Sequence, residues 1–208
     1  MTPLGRQPDL FEASATGALG PEWQLSPEGL RAWQERVLVF QLEQRQQSYG
    51  LAPGPTPGQI CLFAEAEIAQ RVPMAPSPLA VPDPLDLIAE SLQFWRWPEP
   101  PHHGAALYFV FDHSLGRGQD LLLYLGETCR ADRRWKGDHD CKHYLAAYGE
   151  TLVRCGQTPR LSIRFWCDAP SDTRRRRQLE QTQIRHWQPP FNKECRQRWQ
   201  TPFQNLHQ

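Results

Sequence analysis

Residues 121 to 143 read LLLYLGETCRADRRWKGDHDCKH. Leu121 to Leu125 form a continuous apolar run, the right length for a strand buried on both faces and too short for a buried helix. Gly126 is expected to stop it. Beyond the glycine the chain turns polar and basic, with Arg130, Arg133, Arg134 and Lys136, then His139 and His143, on the first turns of a helix expected from about Ala131 to Tyr148 and ended by Gly149. A strand, a glycine turn and a basic helix start can hold a phosphate. The glycine lets the backbone approach closely, helix N-terminal N–H groups favour anions, and arginine grips two phosphate oxygens through its planar fork. A plain strand–helix unit with a solvated basic face fits the same residues, so partners elsewhere in the chain must decide.

On the upstream side, Ala105 to Asp112 (AALYFVFD) is rich in aromatic and β-branched residues. Gly116 to Gln119 reads as its turn into a strand from Gln119 to Gly126, which makes a hairpin. On the downstream side, Arg160 to Cys167 (RLSIRFWC) alternates polar and apolar as a third strand. Pro170-Ser171-Asp172 opens a helix from Thr173 to Trp187, ended by Pro189-Pro190. The order ββαβα implies an α+β domain, a small three-stranded antiparallel sheet flanked by helices.

The last helix carries Arg174, Arg175, Arg176 and Arg177 just ahead of Glu180. A helical carboxylate among arginines is usually a solvated salt bridge. In company, however, Tyr108, Tyr124-Leu125-Gly126, Arg134, His139, Glu180 and Asn192 resemble the catalytic set of the GIY-YIG nuclease family, in the same chain order and over about residues 104 to 195. The first motif is here Ala106-Leu107-Tyr108, which keeps the tyrosine; the second is Tyr124-Leu125-Gly126, with Leu for Ile. Arg134 lies eight residues past the glycine, Asn192 sits in Pro189-Pro190-Phe191-Asn192-Lys193, and Glu127 stands where some relatives have a lysine. The resemblance implies phosphodiester hydrolysis assisted by one divalent ion, Mg²⁺ or Mn²⁺, held by Glu180. Tyr108 is then the base that activates water, with Tyr124 beside it as a substitute. A phenol near pKa ~10 needs neighbouring cations to serve at neutral pH. Arg134 would stabilise the pentavalent phosphate, His139 assist protonation or hold an adjacent phosphate, and Asn192 orient the site.

DNA is the implied partner, and Arg130, Arg133 and Lys136 with Arg174 to Arg177 are expected to form one phosphate-tracking face. No helix-turn-helix or zinc finger is evident, so shape and phosphate geometry are the expected source of selectivity, which points to branched DNA in repair or recombination. Two alternatives stand beside this: a DNA-binding or clamp-associated adaptor that has kept the fold and lost hydrolysis, and a sequence-specific restriction or homing enzyme.

Residues 1 to 101 read as an N-terminal extension to a nuclease-like domain at 102 to 208. Ser26-Pro27-Glu28 starts a helix expected to reach about Gln47, with Leu30, Trp33, Val37 and Phe40 on one packing stripe. Residues 51 to 101 hold 11 of the 20 prolines and form a connector. Within it, Asp83-Pro84 to Trp97 is expected to be a capped helix with Leu85, Ile88, Leu92 and Trp95 on one side. Gln7-Pro8-Asp9-Leu10-Phe11 resembles the short peptide by which bacterial repair proteins bind the sliding clamp. In such a peptide a Leu-Phe pair fills an apolar pocket and glutamine sets the register. Gln59 to Phe63 repeats the form, and packing on the parent domain would explain either copy.

The formal net charge is zero but uneven: residues 1 to 98 carry 6 Lys/Arg against 11 Asp/Glu, and residues 99 to 208 carry 17 against 12. The basic half suits a polyanionic partner. The cysteines include no C-x-x-C pair, so zinc ribbons and disulfide frameworks are not indicated, and the cysteines are expected to be reduced and structural. No apolar run is long enough for a membrane span and no signal peptide opens the chain, so a cytoplasmic protein is expected.

Overall fold

The computed structural model describes residues 25–49, 81–93, 102–134 and 140–203. Gln7 to Phe11, Gln59 to Phe63, Trp95, Lys136 and His139 lie outside the described residues. The fold is α+β, a four-stranded antiparallel sheet packed against helices. Its elements are α1 (Pro27–Tyr49), a 3-10 turn (Pro84–Asp86), β1 (Glu90–Ser91), β2 (Ala106–Asp112), β3 (Leu121–Thr128), α2 (Asp140–Arg154), β4 (Leu161–Trp166), α3 (Thr173–Trp187) and a short α4 (Arg196–Trp199). The strands lie in the order β1-β4-β2-β3. No helix among the described residues is long and apolar enough to cross a membrane.

β2 is central, paired with β3 on one side and β4 on the other, and all seven of its residues are buried. Its successive side chains point to opposite faces, so both faces of the sheet are covered there. The cover includes α1, whose Leu30, Trp33, Val37 and Leu38 belong to the same core as the strands. Trp33 packs against Tyr148 of α2 and against Phe191 and Phe203 near the C-terminus, with ring centroids 6.0, 6.4 and 5.1 Å apart. α1 starts where its sequence says: the Ser26 hydroxyl accepts from the Gly29 N–H at 3.1 Å. α3 matches its expected span from Thr173 to Trp187, with Asp172 capping the Arg175 N–H at 2.8 Å and Gln188 closing it in the left-handed region.

Four expectations are corrected. As far as Gln93, the last described residue of this stretch, the segment from Pro84 is not the expected helix; after one 3-10 turn it extends, and Glu90 and Ser91 pair with Ile163 and Ser162 as a fourth strand. Arg164 of β4 draws it there, donating from one guanidinium nitrogen to the Leu85 and Leu87 carbonyls at 2.5 and 2.7 Å, and Ile88 stays 80% exposed. Secondly, residues 131 to 134 form a turn on which Arg134 sits, and the described helix begins at Asp140. Thirdly, α2 runs through buried Gly149 to Arg154. Its stop is Gly156, at φ +74°, where the Gln157 and Gly156 N–H groups bond the Leu152 and Val153 carbonyls at 2.8 and 3.0 Å. Lastly, β3 does not end at Gly126 but passes through it to Thr128.

Candidate active site

Gly126 lies directly across from Tyr108 in the β2–β3 ladder. A Cβ on Gly126 would stand 2.3 Å from the Tyr108 hydroxyl oxygen and 2.4 Å from Cζ. The glycine is therefore the place where the phenol lies flat on the neighbouring strand, and its function is close approach, not strand termination. Tyr124, two residues earlier on β3, stacks on Tyr108 with centroids 6.0 Å apart, and the two hydroxyls are hydrogen-bonded to each other. Arg134 Nε donates to the same oxygen at 3.1 Å. Tyr108 is wholly buried, whereas Tyr124 keeps some accessible surface.

The charge balance differs from what the sequence suggests. Burial is the largest influence on both phenols and pushes each well above the ordinary tyrosine range. At Tyr108 it outweighs the opposing charge and hydrogen bond of Arg134. Both are neutral phenols at physiological pH in this state. Burial also works against the charge on Arg134, but the phenols and Glu127 outweigh it and hold the guanidinium positive.

β3 is an edge strand, and side chains cover its outer row of backbone groups. Gln41 of α1 accepts from the Leu122 N–H and donates to the Leu122 carbonyl, both at 2.9 Å. The Phe191 N–H donates to the Leu123 carbonyl at 3.0 Å. Asn192 accepts from the Leu125 N–H at 3.0 Å and donates to its carbonyl at 2.8 Å. Glu180 Oε1 completes the row, accepting from the Glu127 N–H at 3.0 Å. A buried edge left unpaired would be costly, and here a glutamine, an asparagine and a glutamate stand in for a further strand. The same bonds fix Glu180 at the end of β3, next to Gly126.

Burial raises the Glu180 carboxyl to about 7, and the Glu127 and Glu194 charges add to this against the Glu127 N–H bond and the Arg134 charge. Among the described residues no cluster of three or more His, Cys, Asp or Glu could enclose a metal ion. One half-buried carboxylate with proton affinity near neutrality fits a hard cation that keeps most of its waters, as magnesium does, and does not fit a fully protein-ligated ion. Glu127 is engaged elsewhere: its Oε2 accepts from Arg176 Nε at 2.6 Å and its Oε1 lies 3.4 Å from Arg177 Nε.

This arrangement corrects one expected DNA contact. Arg176 is 1% exposed and also donates to the Pro170 and Ser171 carbonyls, both at 2.9 Å, so its task is to bind α3 and its entry loop to β3. Arg174, Arg175 and Arg177 remain exposed, as do Arg130 and Arg133, the last lying 3.4 Å from Asp132. Arg174, Arg177 and Arg185 line an open groove of about 890 Å³ along the outer face of α3. The structure thus brings Tyr108, Tyr124, Arg134, Glu180 and Asn192 to one end of β2 and β3. The sequence reading missed the Glu127–Arg176 pair, although Arg176, Glu180, Ile184 and Trp187 fall on one helical stripe that signals a buried face. It also missed Gln41, although Gln41 lies four residues past Val37 and so continues the stripe of Leu30, Trp33 and Val37, where a polar residue signals a buried hydrogen bond. Compared with protein-family models, curated proteins and solved structures, the chain matches none.

Proposed function

We propose that this chain is a metal-dependent DNA endonuclease related to the GIY-YIG nucleases its motifs resemble, hydrolysing phosphodiester bonds in branched DNA during repair or recombination. The observation that carries this reading is the convergence of two stacked tyrosines, one arginine and one carboxylate of raised pKa around Gly126, four side chains from β2, β3, the turn after β3 and α3. Phosphoryl transfer needs a base for water, positive charge for the phosphorane and a seat for a cation, and these groups supply each.

Glu180 would hold the cation. Once bound, the ion supplies Lewis-acid charge to the phosphoryl and leaving oxygens. Because Tyr108, the base expected from sequence, is wholly buried, the role of base passes to Tyr124, the phenol with accessible surface, while Tyr108 behind it passes the effect of Arg134 forward. The pair must shed one proton before it can take one from water. Arg134 then steadies both the phenolate and the charge growing on phosphorus. Asn192 acts at one remove, holding β3 so that Gly126 and Glu180 keep their spacing.

The second reading, a DNA-binding adaptor without hydrolysis, is favoured by the complete burial of Tyr108. One experiment separates the two: cleavage of linear, flapped, nicked and four-way DNA with Mg²⁺ or Mn²⁺, using wild type and Glu180→Ala. Cutting that prefers branched substrates and disappears in the variant, with DNA binding retained, supports the nuclease. Binding without cutting in wild type supports the adaptor. Cutting at one linear sequence alone would mean a restriction-type enzyme instead. Delivery by the sliding clamp through Gln7, Asp9, Leu10 and Phe11 is part of the same proposal. A pull-down with the clamp in which Leu10→Ala with Phe11→Ala binds like wild type would remove it.

A further inference from the structure

Where β1 and β4 pair, at the sheet edge opposite β3, three side chains outside the candidate active site are joined end to end. Cys167, exposed just after β4, has its Sγ 3.3 Å from Nδ1 of His102. The other ring nitrogen, Nε2, is hydrogen-bonded to Oε1 of Glu90 in β1. The Glu90 side chain is only 8% exposed, and its Oε2 is buried without a hydrogen-bond partner. Phe165 packs on the imidazole with centroids 5.0 Å apart and so fixes its plane.

A carboxylate can only accept, so Nε2 of His102 carries the ring proton and Nδ1 turns its lone pair to the thiol. A nucleophile, a base within reach and a third group orienting that base make up the activated-nucleophile arrangement. Ser162, His113 and Asp120 repeat the connectivity elsewhere, at 2.7 and 2.5 Å, but Ser162, near the start of β4, is buried. Exposure is what separates the two clusters. Burial, then the charges of Asp168 and Glu90, raises the Cys167 thiol, so it rests protonated and depends on a base at the moment of attack. The same two carboxylates set up a negative field that repels anionic reagents.

We propose that Cys167 is a nucleophilic thiol, activated by His102 and Glu90, that forms mixed disulfides with small disulfides of neutral or positive charge. Sγ attacks one sulfur of the disulfide while its proton passes to Nδ1 of His102. The reagent S–S bond breaks as the Cys167 S–S bond forms. The leaving sulfur takes the electron pair and then the proton from His102, departing as a thiol; Cys167 is oxidised and the leaving sulfur reduced. This inference does not depend on the nuclease reading.

The test treats the full chain near neutral pH with cystamine, a cationic disulfide, or with oxidised glutathione, an anionic one, and maps the modified cysteines by peptide mass. Cys129, exposed and with no imidazole hydrogen bond among the described residues, serves as the internal reference, and buried Cys141 and Cys195 report whether the fold is intact. Cys167 should react with cystamine roughly tenfold or more faster than Cys129, a modest effect for general-base assistance. It should react more slowly with oxidised glutathione than with cystamine. His102→Gln should bring Cys167 to within a few-fold of Cys129; if that variant exposes Cys141 and Cys195, Glu90→Gln is read in its place and should slow Cys167 in the same direction. Equal rates at Cys167 and Cys129 in wild type, or an unchanged Cys167 rate in the folded variant, would overturn the proposal.

Discussion

On the proposed nuclease reading, Glu180 and the tyrosine pair would both have to lose protons before hydrolysis, and their environments place those losses at different pH. The Glu180 carboxyl, raised to about 7 by burial, has to ionise to hold the cation, whereas both phenols are raised above their ordinary range. At subsaturating metal the logarithm of the rate should therefore climb with pH at a slope near 2 below about 7, where both ionisations are incomplete. It should continue at a slope near 1 above that, with no plateau before about pH 9. A plateau beginning at 7 would mean that neither phenol is the base. Saturating metal should abolish the steeper limb, because Glu180 would then stay ionised across the range if it is the residue that holds the ion. Gly126→Ala tests the same site by packing: with a Cβ 2.3 Å from the Tyr108 oxygen, either ring or strand must shift. The expected cost is about 1–3 kcal/mol in denaturant unfolding, with activity falling further than the loss of folded protein explains. Sequence reading found this glycine but gave it the wrong task. A glycine needed for close approach and one that ends a strand look alike until the side chain opposite is known.

Elements whose limits depend on local chemistry were legible, and those set by distant partners were not. Asp172 at the start of α3 and Pro189 after its end act within a few residues, so that helix could be bounded from sequence. β1 is two residues long and exists because Arg164, more than seventy residues away, captures the carbonyls before it. The run of four arginines is a similar case. Its members are identical in sequence, yet the helical period turns one of them inward. Arg175→Ala should lower DNA affinity and reduce the slope of log affinity against log salt by about 1, leaving stability within about 0.5 kcal/mol. Arg176→Ala should leave that slope unchanged and cost about 3 kcal/mol or more, since it strands the Glu127 carboxylate in a largely buried site. The covering of β3 makes a second element-scale prediction. Asn192→Ala leaves the Leu125 N–H and carbonyl unpaired at a buried edge. It should cost about 2–3 kcal/mol and faster hydrogen exchange at Leu125, Gly126 and Glu127. Normal exchange there would deny Asn192 its positioning role.

At the scale of the whole molecule, α1 is bound to the sheet by two independent means. Leu30, Trp33, Val37 and Leu38 lie in the common core, and the Trp33 indole N–H donates to the Trp199 carbonyl at 3.1 Å. Along the same helix, Gln34 donates to the Tyr148 hydroxyl at 2.7 Å, and that hydroxyl in turn donates to buried Asp112 at 2.7 Å. Gln41 covers the edge of β3 at Leu122. Removing the helix would uncover apolar surface on Tyr148, Phe191 and Phe203, leave backbone groups of β3 unpaired and take away one partner of the Tyr148–Asp112 network. Each loss alone is of the order of a few kcal/mol, and together they rival the whole stability of a domain this size. A chain starting at Leu25 should thus fold and melt cooperatively, whereas one starting at Leu51 should be insoluble or bind a hydrophobic dye without a cooperative transition. Gln41→Ala, which removes only the edge bonds, should fall between them, lowering stability by about 1–3 kcal/mol without loss of solubility. If the chain from Leu51 melts like the longer one and keeps its DNA activity, α1 is an appendage and the edge of β3 must be protected in some other way. If it fails as expected, the helix that precedes the proline-rich connector is a structural part of the α+β domain, and any test of the proposed catalysis has to retain it.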